Sequence, residues 1–249
     1  KMNIFDFCEK QEAPNSIKSV NDLILKFNEL AYKSHKFKIK NDKDAGDYFE
    51  KLLGKKVDNI SLPDLEQIET EIKTSGGKKK TTAFTKSFEG GLTIRNLVDE
   101  FGYVNDDNLN KNKQPAKRLM SSVTNSPNNR GFYLKVNDDK LYLMNGKDKL
   151  SYWQLETLVK SIAGKMPNLA YVKYTKTPDT ITFNDMTIYQ NIKPHKIIKL
   201  LEDNKMIVEI RARHGYLDKK ESYIRDRGTA FRLTSNNVYD EIFEKKITI

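Results

Sequence analysis

Cysteine is nearly absent from this chain: Cys8 is the only one in 249 residues. That excludes a disulfide framework and a thiolate metal cluster. Histidine is almost as scarce, and none of the three is spaced as a zinc site. No stretch approaches the roughly 18 apolar residues of a membrane-spanning helix, and no basic segment carries the extended apolar face of a membrane-surface helix. The opening Lys1-Met2-Asn3-Ile4-Phe5-Asp6 lacks the apolar region of a secretory signal, so a reduced, cytoplasmic setting is expected. Internal repeats, a glycine-rich phosphate loop and a strand-turn-helix nucleophile motif are missing as well.

Acidic residues are also in deficit. Asp plus Glu number 34 against 44 Lys plus Arg, for a formal net charge of +10 and a pI near 9.3. This excess favours a polyanionic partner, because neutralising phosphates releases condensed counterions. A chain rich in Lys, Asn and Ile owes part of the excess to composition alone. Hydrophobic residues make up 37% of the chain, enough at this length for one large domain or two small ones around a substantial core.

Candidate chemistry gathers in Pro63-Asp64-Leu65-Glu66-Gln67-Ile68-Glu69-Thr70-Glu71-Ile72-Lys73. A carboxylate on an irregular segment is followed seven residues later by Glu-x-Lys in a run that reads as a strand. Side chains alternate along a strand, so Glu71 and Lys73 point the same way and Ile72 the other. Two carboxylates and a lysine converging on one point suit phosphodiester hydrolysis. Asp64 and Glu71 offer hard oxygen ligands for Mg²⁺, and Lys73 can contact the phosphate or orient the attacking water. The competing reading is an amphipathic strand with charges on its wet face, because such a pattern recurs by chance in a chain this charged.

Along the rest of the chain, Ser16 is expected to cap a helix running to about Tyr32, and Asp44 to start a second one ended by Gly54, with Glu50 at the edge of its apolar stripe. Lys78-Lys79-Lys80 reads as a basic turn, and residues 81–87 as a strand forming a hairpin with the Glu71 strand, which would carry Lys86 to the site. Residues 104–130 read as loop, with a short helix at 115–120 and Lys117, Arg118 and Arg130 available for DNA-like polyanions. A hairpin is predicted around Asn137-Asp138-Asp139, then an amphipathic helix containing Tyr152, Trp153, Leu155, Leu158 and Ile162, with Trp153 in the core. Glu209, Arg211 and Arg213 share one face of a strand at 205–214, a face suited to reading base edges. Arg227-Gly228 reads as a bend that brings Arg225, Arg227 and Arg232 to a duplex, with Asp226 orienting a guanidinium.

Several of these pieces together resemble the MvaI/BcnI family of restriction endonucleases, which belongs with the MutH-like nucleases. The resemblance runs from about Asn21 to the end of the chain. It rests on Tyr48-Phe49-Glu50-Lys51-Leu52-Leu53, Leu62-Pro63-Asp64, Glu71-Ile72-Lys73-Thr74, Phe84-Thr85-Lys86-Ser87, Phe101-Gly102-Tyr103-Val104 and Gly228-Thr229-Ala230-Phe231-Arg232, with Glu50 fourteen residues before Asp64. The resemblance implies an α/β restriction-endonuclease-like fold of the PD-(D/E)XK type, with a mixed central sheet flanked by helices and two lobes around a DNA cleft. The catalytic lobe would be residues 1–100 with a return of the C-terminal segment, and the recognition lobe 101–249; one compact domain is the alternative.

It also implies roles for individual residues. Glu50, Asp64, Glu71 and Lys73 would be catalytic, and Asp64, Glu71 and the backbone carbonyl of Ile72 would hold Mg²⁺, with Mn²⁺ as a substitute. Thr85 and Lys86 would face DNA near the scissile phosphate, Glu209 and Arg211 would read outer C·G pairs, and Arg232 would lie near the central pair. Lys79, Arg130, Arg225, Asp226 and Arg227 complete the DNA-binding set. The implied activity is a monomeric, bacterial, sequence-specific double-stranded DNA endonuclease acting at a CCNGG-like pseudo-palindrome, with a cognate DNA methyltransferase as functional partner. Two departures from the family pattern bear on this. The gap from Asp64 to Glu71 is MutH-like in length, and Arg225-Asp226-Arg227 stands where the MvaI pattern has His-Asp-His. A mismatch-repair-type nickase and a DNA-binding protein with a decayed nuclease site are the rival readings.

Overall fold

The computed structural model describes residues 17–38, 42–55, 62–77, 80–104, 117–217 and 221–249. Ser16 and the Lys78–Lys79 turn lie outside them. In chain order the described residues form α1 (Val20–Leu30), β1 (Ser34–Lys36), α2 (Asp42–Leu52), β2 (Thr70–Ser75), β3 (Thr81–Thr85), β4 (Gly90–Gly91), α3 (Ile94–Phe101), β5 (Arg118–Val123), β6 (Phe132–Asn137), β7 (Lys140–Asn145) and β8 (Asp148–Gln154). There follow α4 (Leu155–Lys165), β9 (Asn168–Lys176), β10 (Thr180–Ile192), α5 (Lys196–Glu202), β11 (Met206–Leu217), β12 (Glu221–Asp226), β13 (Ala230–Leu233), α6 (Tyr239–Ile242) and β14 (Phe243–Thr248). The result is a mixed α/β chain whose strands are spread over three sheets.

The chain divides into two compact units. The first takes the described residues up to Gly76, then Ala170–Thr187 and Thr248–Ile249. Its sheet runs in the order β1-β10-β9-β2, so β2 stands at the end of that order. Helix α1 starts where the Ser19 hydroxyl accepts from the Asp22 N–H at 3.1 Å, satisfying one of the free donors of the first turn. It buries Leu23 and Phe27. Helix α2 packs against β2 and buries Ala45 and Phe49, with Leu53 buried just past its end. Phe49 is the hub of this core, with its ring centroid 6.4 Å from that of Phe27 and 4.8 Å from that of Phe183.

The second unit holds Gly77–Leu169 and Ile188–Ile247. One of its sheets runs β12-β11-β13-β3, with β5 on the other side of β11, and the second runs β4-β8-β7-β6. Strand β11 alternates cleanly: Val208, Ile210 and Ala212 are buried while Glu209, Arg211 and Arg213 are half-exposed. The β6–β7 hairpin turns at Asp138-Asp139 as the sequence predicts, with Asp138 at a φ of 54°.

Three expectations are overturned. Strand β3 pairs with β13, not with β2, so no hairpin links the Glu71 strand to the Lys86 segment. Residues 118–123 are neither loop nor helix but β5, paired antiparallel with β11 from Val123 opposite Val208 to Arg118 opposite Arg213. Tyr152 and Trp153 close strand β8 instead of opening a helix, and α4 begins only at Leu155. Trp153 is nonetheless core, fully buried and edge-on to Phe231 at 5.3 Å.

Phe231 is clasped between Trp153 and the ring of Phe84, which stacks on it at 4.6 Å with the planes 6° apart. Truncating such a side chain loses its transfer free energy and leaves a cavity between two rings that cannot close it. Phe231→Ala is expected to cost about 3–5 kcal/mol in urea unfolding; a loss below about 1 kcal/mol would contradict its place in the core.

Candidate active site

Asp64 and Glu71 are seven residues apart in sequence, yet the backbone folds them together. Leu65 and Thr70 form an isolated antiparallel bridge, with Leu65 N–H donating to Thr70 O at 2.9 Å and Thr70 N–H to Leu65 O at 3.1 Å. A 3₁₀ turn at Glu66–Ile68 closes the loop, ending at Glu69 in the left-handed region with a φ of 47°. Asp64 therefore lies just before the bridge and Glu71 just after it. The extra length of the gap is absorbed by the turn, where Glu66 and Glu69 are exposed.

The Asp64 carboxylate then closes on β2 itself, its Oδ2 accepting from the Ile72 N–H at 2.9 Å. In a strand the N–H and C=O of one residue point to the same side. The Ile72 carbonyl thus faces the Asp64 side of β2. Lys73 and Glu71 share a face of the strand, and the Lys73 ammonium donates to Glu71 Oε1 at 2.5 Å. The Glu71 side chain is only 2% exposed. A buried carboxylate needs such a partner, because an uncompensated charge in the interior is costly.

Glu50 joins through the end of α2. Gly54 takes a φ of 83°, its N–H donates to Lys51 O at 3.0 Å, and the Lys55 N–H reaches back to Glu50 O at 3.0 Å. These two bonds are a Schellman closure, which needs a residue without a Cβ penalty at the left-handed position. The closure folds Lys55 back over Glu50. Its ammonium lies 3.3 Å from Asp64 Oδ1 and 3.8 Å from Glu50 Oε2. Lys55 was not singled out from sequence; the signal was Gly54, which marks the next residue as the one returned to the last turn.

The site is short of positive charge, with Glu50, Asp64 and Glu71 facing the ammonium groups of Lys55 and Lys73. Burial raises the Glu50 carboxyl to about 7, the Asp64 carboxylate adds to the rise, Lys55 opposes it, and Asp47 and Glu71 add smaller contributions. A carboxyl that resists ionising beside another carboxylate suits a hard cation nearby. Among the described residues no three His, Cys, Asp or Glu side chains gather closely enough to hold a metal alone. Asp64, Glu71 and the Ile72 carbonyl would be the residues to hold an oxygen-seeking divalent cation here.

The other expected residues lie in the second unit. Arg232 donates from Nη1 to Glu209 Oε2 at 2.7 Å and from Nη2 to Lys80 O at 3.0 Å. Arg211 donates from Nη2 to the carbonyl oxygens of Arg227 and Gly228, at 3.2 and 3.3 Å. Arg225 and Arg227 line one pocket with Arg211, but Arg232 does not join them; its side chain is drawn to Glu209. Asp226 Oδ1 accepts from the Gly228 N–H at 2.7 Å and shapes the bend. Arg130 stacks over Tyr103 at 4.1 Å.

Thr85 and Lys86 are held by backbone. The Lys86 N–H donates to Thr229 O at 3.0 Å, and the indole N–H of Trp153 donates to Lys86 O at 3.1 Å. Gly228, at a φ of 76°, passes so close that a Cβ there would lie 3.3 Å from the Thr85 side chain. The Lys86 ammonium lies 3.8 Å from Glu89 Oε1. Lys79 lies outside the described residues.

Comparison with known proteins agrees with this architecture. The family described as MvaI/BcnI restriction endonuclease matches residues 24–243. Among solved structures the chain is similar to "Restriction endonuclease MvaI-cognate DNA substrate complex", at 21% identity over 92% of this chain and 97% of that one, with a TM-score of 0.73. It is also similar to "Restriction endonuclease MvaI in the absence of DNA", at 20% identity over 94% and 100%, with a TM-score of 0.54. No curated relative matches. At such identities the structural likeness carries the fold.

The raised Glu50 carboxyl has a consequence for stability. Its folded form holds a proton that the unfolded chain releases near 4.5, so its contribution to stability is present below that pH and is lost as pH rises through about 7. In metal-free buffer Glu50→Gln should therefore gain on wild type as pH rises from 5 to 8. The expected gain is on the order of 1 kcal/mol, well below the full shift because solvent still reaches the carboxyl. An equal difference in unfolding free energy at both pH values would contradict the assignment.

Proposed function

The chain belongs to the MvaI/BcnI restriction endonuclease family, and on that premise we propose that it cuts both strands of duplex DNA at a short pseudo-palindrome, using Asp64, Glu71 and Lys73 as its catalytic centre. Membership makes it a type II restriction endonuclease, a site-specific deoxyribonuclease. The ion, the sequence read and the part played by each residue are our reading. The observation that carries it is the closure of Asp64 onto the Ile72 N–H, beside the Glu71–Lys73 pair.

Mg²⁺, or Mn²⁺ in its place, held by Asp64, Glu71 and the Ile72 carbonyl, would supply positive charge at the scissile phosphate and ease ionisation of a water. Lys73, already a charged donor against Glu71, is placed to donate to a phosphate oxygen where negative charge grows in the transition state. Glu71 limits the rotamers of that ammonium, and Glu50 supports the site from α2 through Lys55. In the reaction the water oxygen joins phosphorus, one P–O ester bond breaks, and the water proton ends on the leaving oxygen.

The first unit would be the catalytic lobe and the second the recognition lobe. Glu209 can accept from a cytosine amino group and Arg211 or Arg232 can donate to guanine, a set that supports a C·G-rich site of CCNGG type. Thr85 and Lys86 would meet the backbone near the cut, with Lys79, Arg130, Arg225, Asp226 and Arg227 completing the contacts. The enzyme would act as a monomer in the bacterial cytoplasm beside a methyltransferase that protects host DNA. No helix among the described residues is long and apolar enough to cross a membrane.

Supercoiled plasmid incubated with the protein and Mg²⁺ should become linear. Lys73→Ala should slow cleavage on the order of 10²–10³-fold, the scale of one lost transition-state donor, while keeping duplex binding. Nicked circles that persist would favour the nickase reading. Intact genomic DNA with either Mg²⁺ or Mn²⁺ would sink the enzyme reading and leave a binding module.

A further inference from the structure

Strand register in the second unit lines up three arginines. Arg118 on β5 stands directly opposite Arg213 on β11, and Arg213 stands directly opposite Arg225 on β12. Directly opposed residues share a sheet face, and like charges so placed destabilise the pairing. Two residues along β11, on the same face, stands Arg211, with Arg227 drawn in by its N–H to Arg211 O at 3.1 Å. All five arginines line one pocket of about 200 Å³, together with Met120 and Ala212. Among the described residues no acidic side chain lines it.

The array is built, not merely crowded. Tyr103 and Arg118 exchange backbone hydrogen bonds at 2.8 and 2.9 Å, and the Arg118 guanidinium lies 5.0 Å from the Tyr103 ring centroid. The bonds from Arg211 to the carbonyls of Arg227 and Gly228 fix the bend that carries Arg225 and Arg227. Guanidinium groups gathered in one concavity favour an anion among them, and planar forks match phosphate oxygens.

We propose that the Arg118–Arg213–Arg225 row is a phosphate site that clamps the DNA backbone. It works beside the Glu209–Arg232 pair, which meets the bases. The proposal rests on the duplex-DNA reading above. It separates two tasks on one face: the row supplies affinity without sequence preference, while Glu209 and Arg232 supply discrimination.

The test is binding of a fixed 20-base-pair duplex without the cleavage cation, followed by fluorescence anisotropy across a KCl series. Each phosphate contact contributes about 0.9 to the slope of log K against log salt. The Arg118→Gln/Arg213→Gln double variant should lower that slope by roughly two. Arg225→Gln, changing an exposed side chain with little risk to folding, should lower it by roughly one, and Arg213→Lys, which keeps the charge, should leave it near wild type. Unchanged slopes in a wild type that binds the duplex would overturn the clamp and leave the DNA reading standing. A wild type that binds no duplex would overturn both. Inorganic phosphate serves as a second probe: if it raises the melting temperature of wild type but not of the variants while duplex slopes stay equal, the pocket takes a free anion and the backbone clamp is wrong.

Discussion

One short constraint organises the candidate active site: the Leu65–Thr70 bridge, which forces the chain to double back between Asp64 and Glu71. Without it, a seven-residue separation would leave the two carboxylates free to diverge, since extended chain covers about 3.3 Å per residue. With it, Asp64 docks on the N–H of Ile72, the residue between Glu71 and Lys73. The single bond has two effects. It satisfies a donor at the end of the sheet, and it sets the carboxylate on the side of the strand that the Ile72 carbonyl faces. Site and scaffold share the same hydrogen bond.

Charge balance decides how the rest of that site behaves. Lys55 and Lys73 are each held by a carboxylate, so the centre carries both its acids and part of its own counter-charge. The remaining imbalance falls on Glu50, whose carboxyl is pushed up to about 7 by burial and by its acidic neighbours. The second unit shows the opposite bias. There Glu209 is matched by Arg232, while the arginines around Arg213 share a pocket that no acid among the described residues lines. On the proposed reading, attraction for a divalent cation in one unit and for phosphate in the other would be complementary demands of one reaction on a polyanion.

Local rules read much of this from sequence. Alternation along residues 70–75 was enough to put Glu71 and Lys73 on one side, and alternation along β11 put Glu209, Arg211 and Arg213 on one face. The Asp138-Asp139 hairpin followed from turn chemistry. What failed was pairing at a distance. Local pattern pairs β3 with its sequence neighbour, but its partner β13 comes some 145 residues later, where Phe231 stacks on Phe84. Strand β5 was hidden because its Ser- and Asn-flanked composition resembles a loop; only the partner strand β11 makes it regular. Lys55 escaped because its place depends on a helix-end closure and not on periodicity. Arg232 was grouped with Arg225 and Arg227 by proximity in sequence, whereas the strand geometry gives it to Glu209.

On the proposed reading the carboxylate of Asp64 serves chemistry, while its docking on β2 rests on Oδ2, which accepts from the Ile72 N–H, with Oδ1 facing the Lys55 ammonium at 3.3 Å. Asp64→Asn separates the two, because the amide oxygen can take the same N–H while the charge is gone. Cleavage of duplex DNA in Mg²⁺ by this variant is the most direct measurement. A fall on the order of 10³-fold, with duplex binding and the unfolding midpoint close to wild type, is the predicted result; cleavage within tenfold of wild type would contradict it.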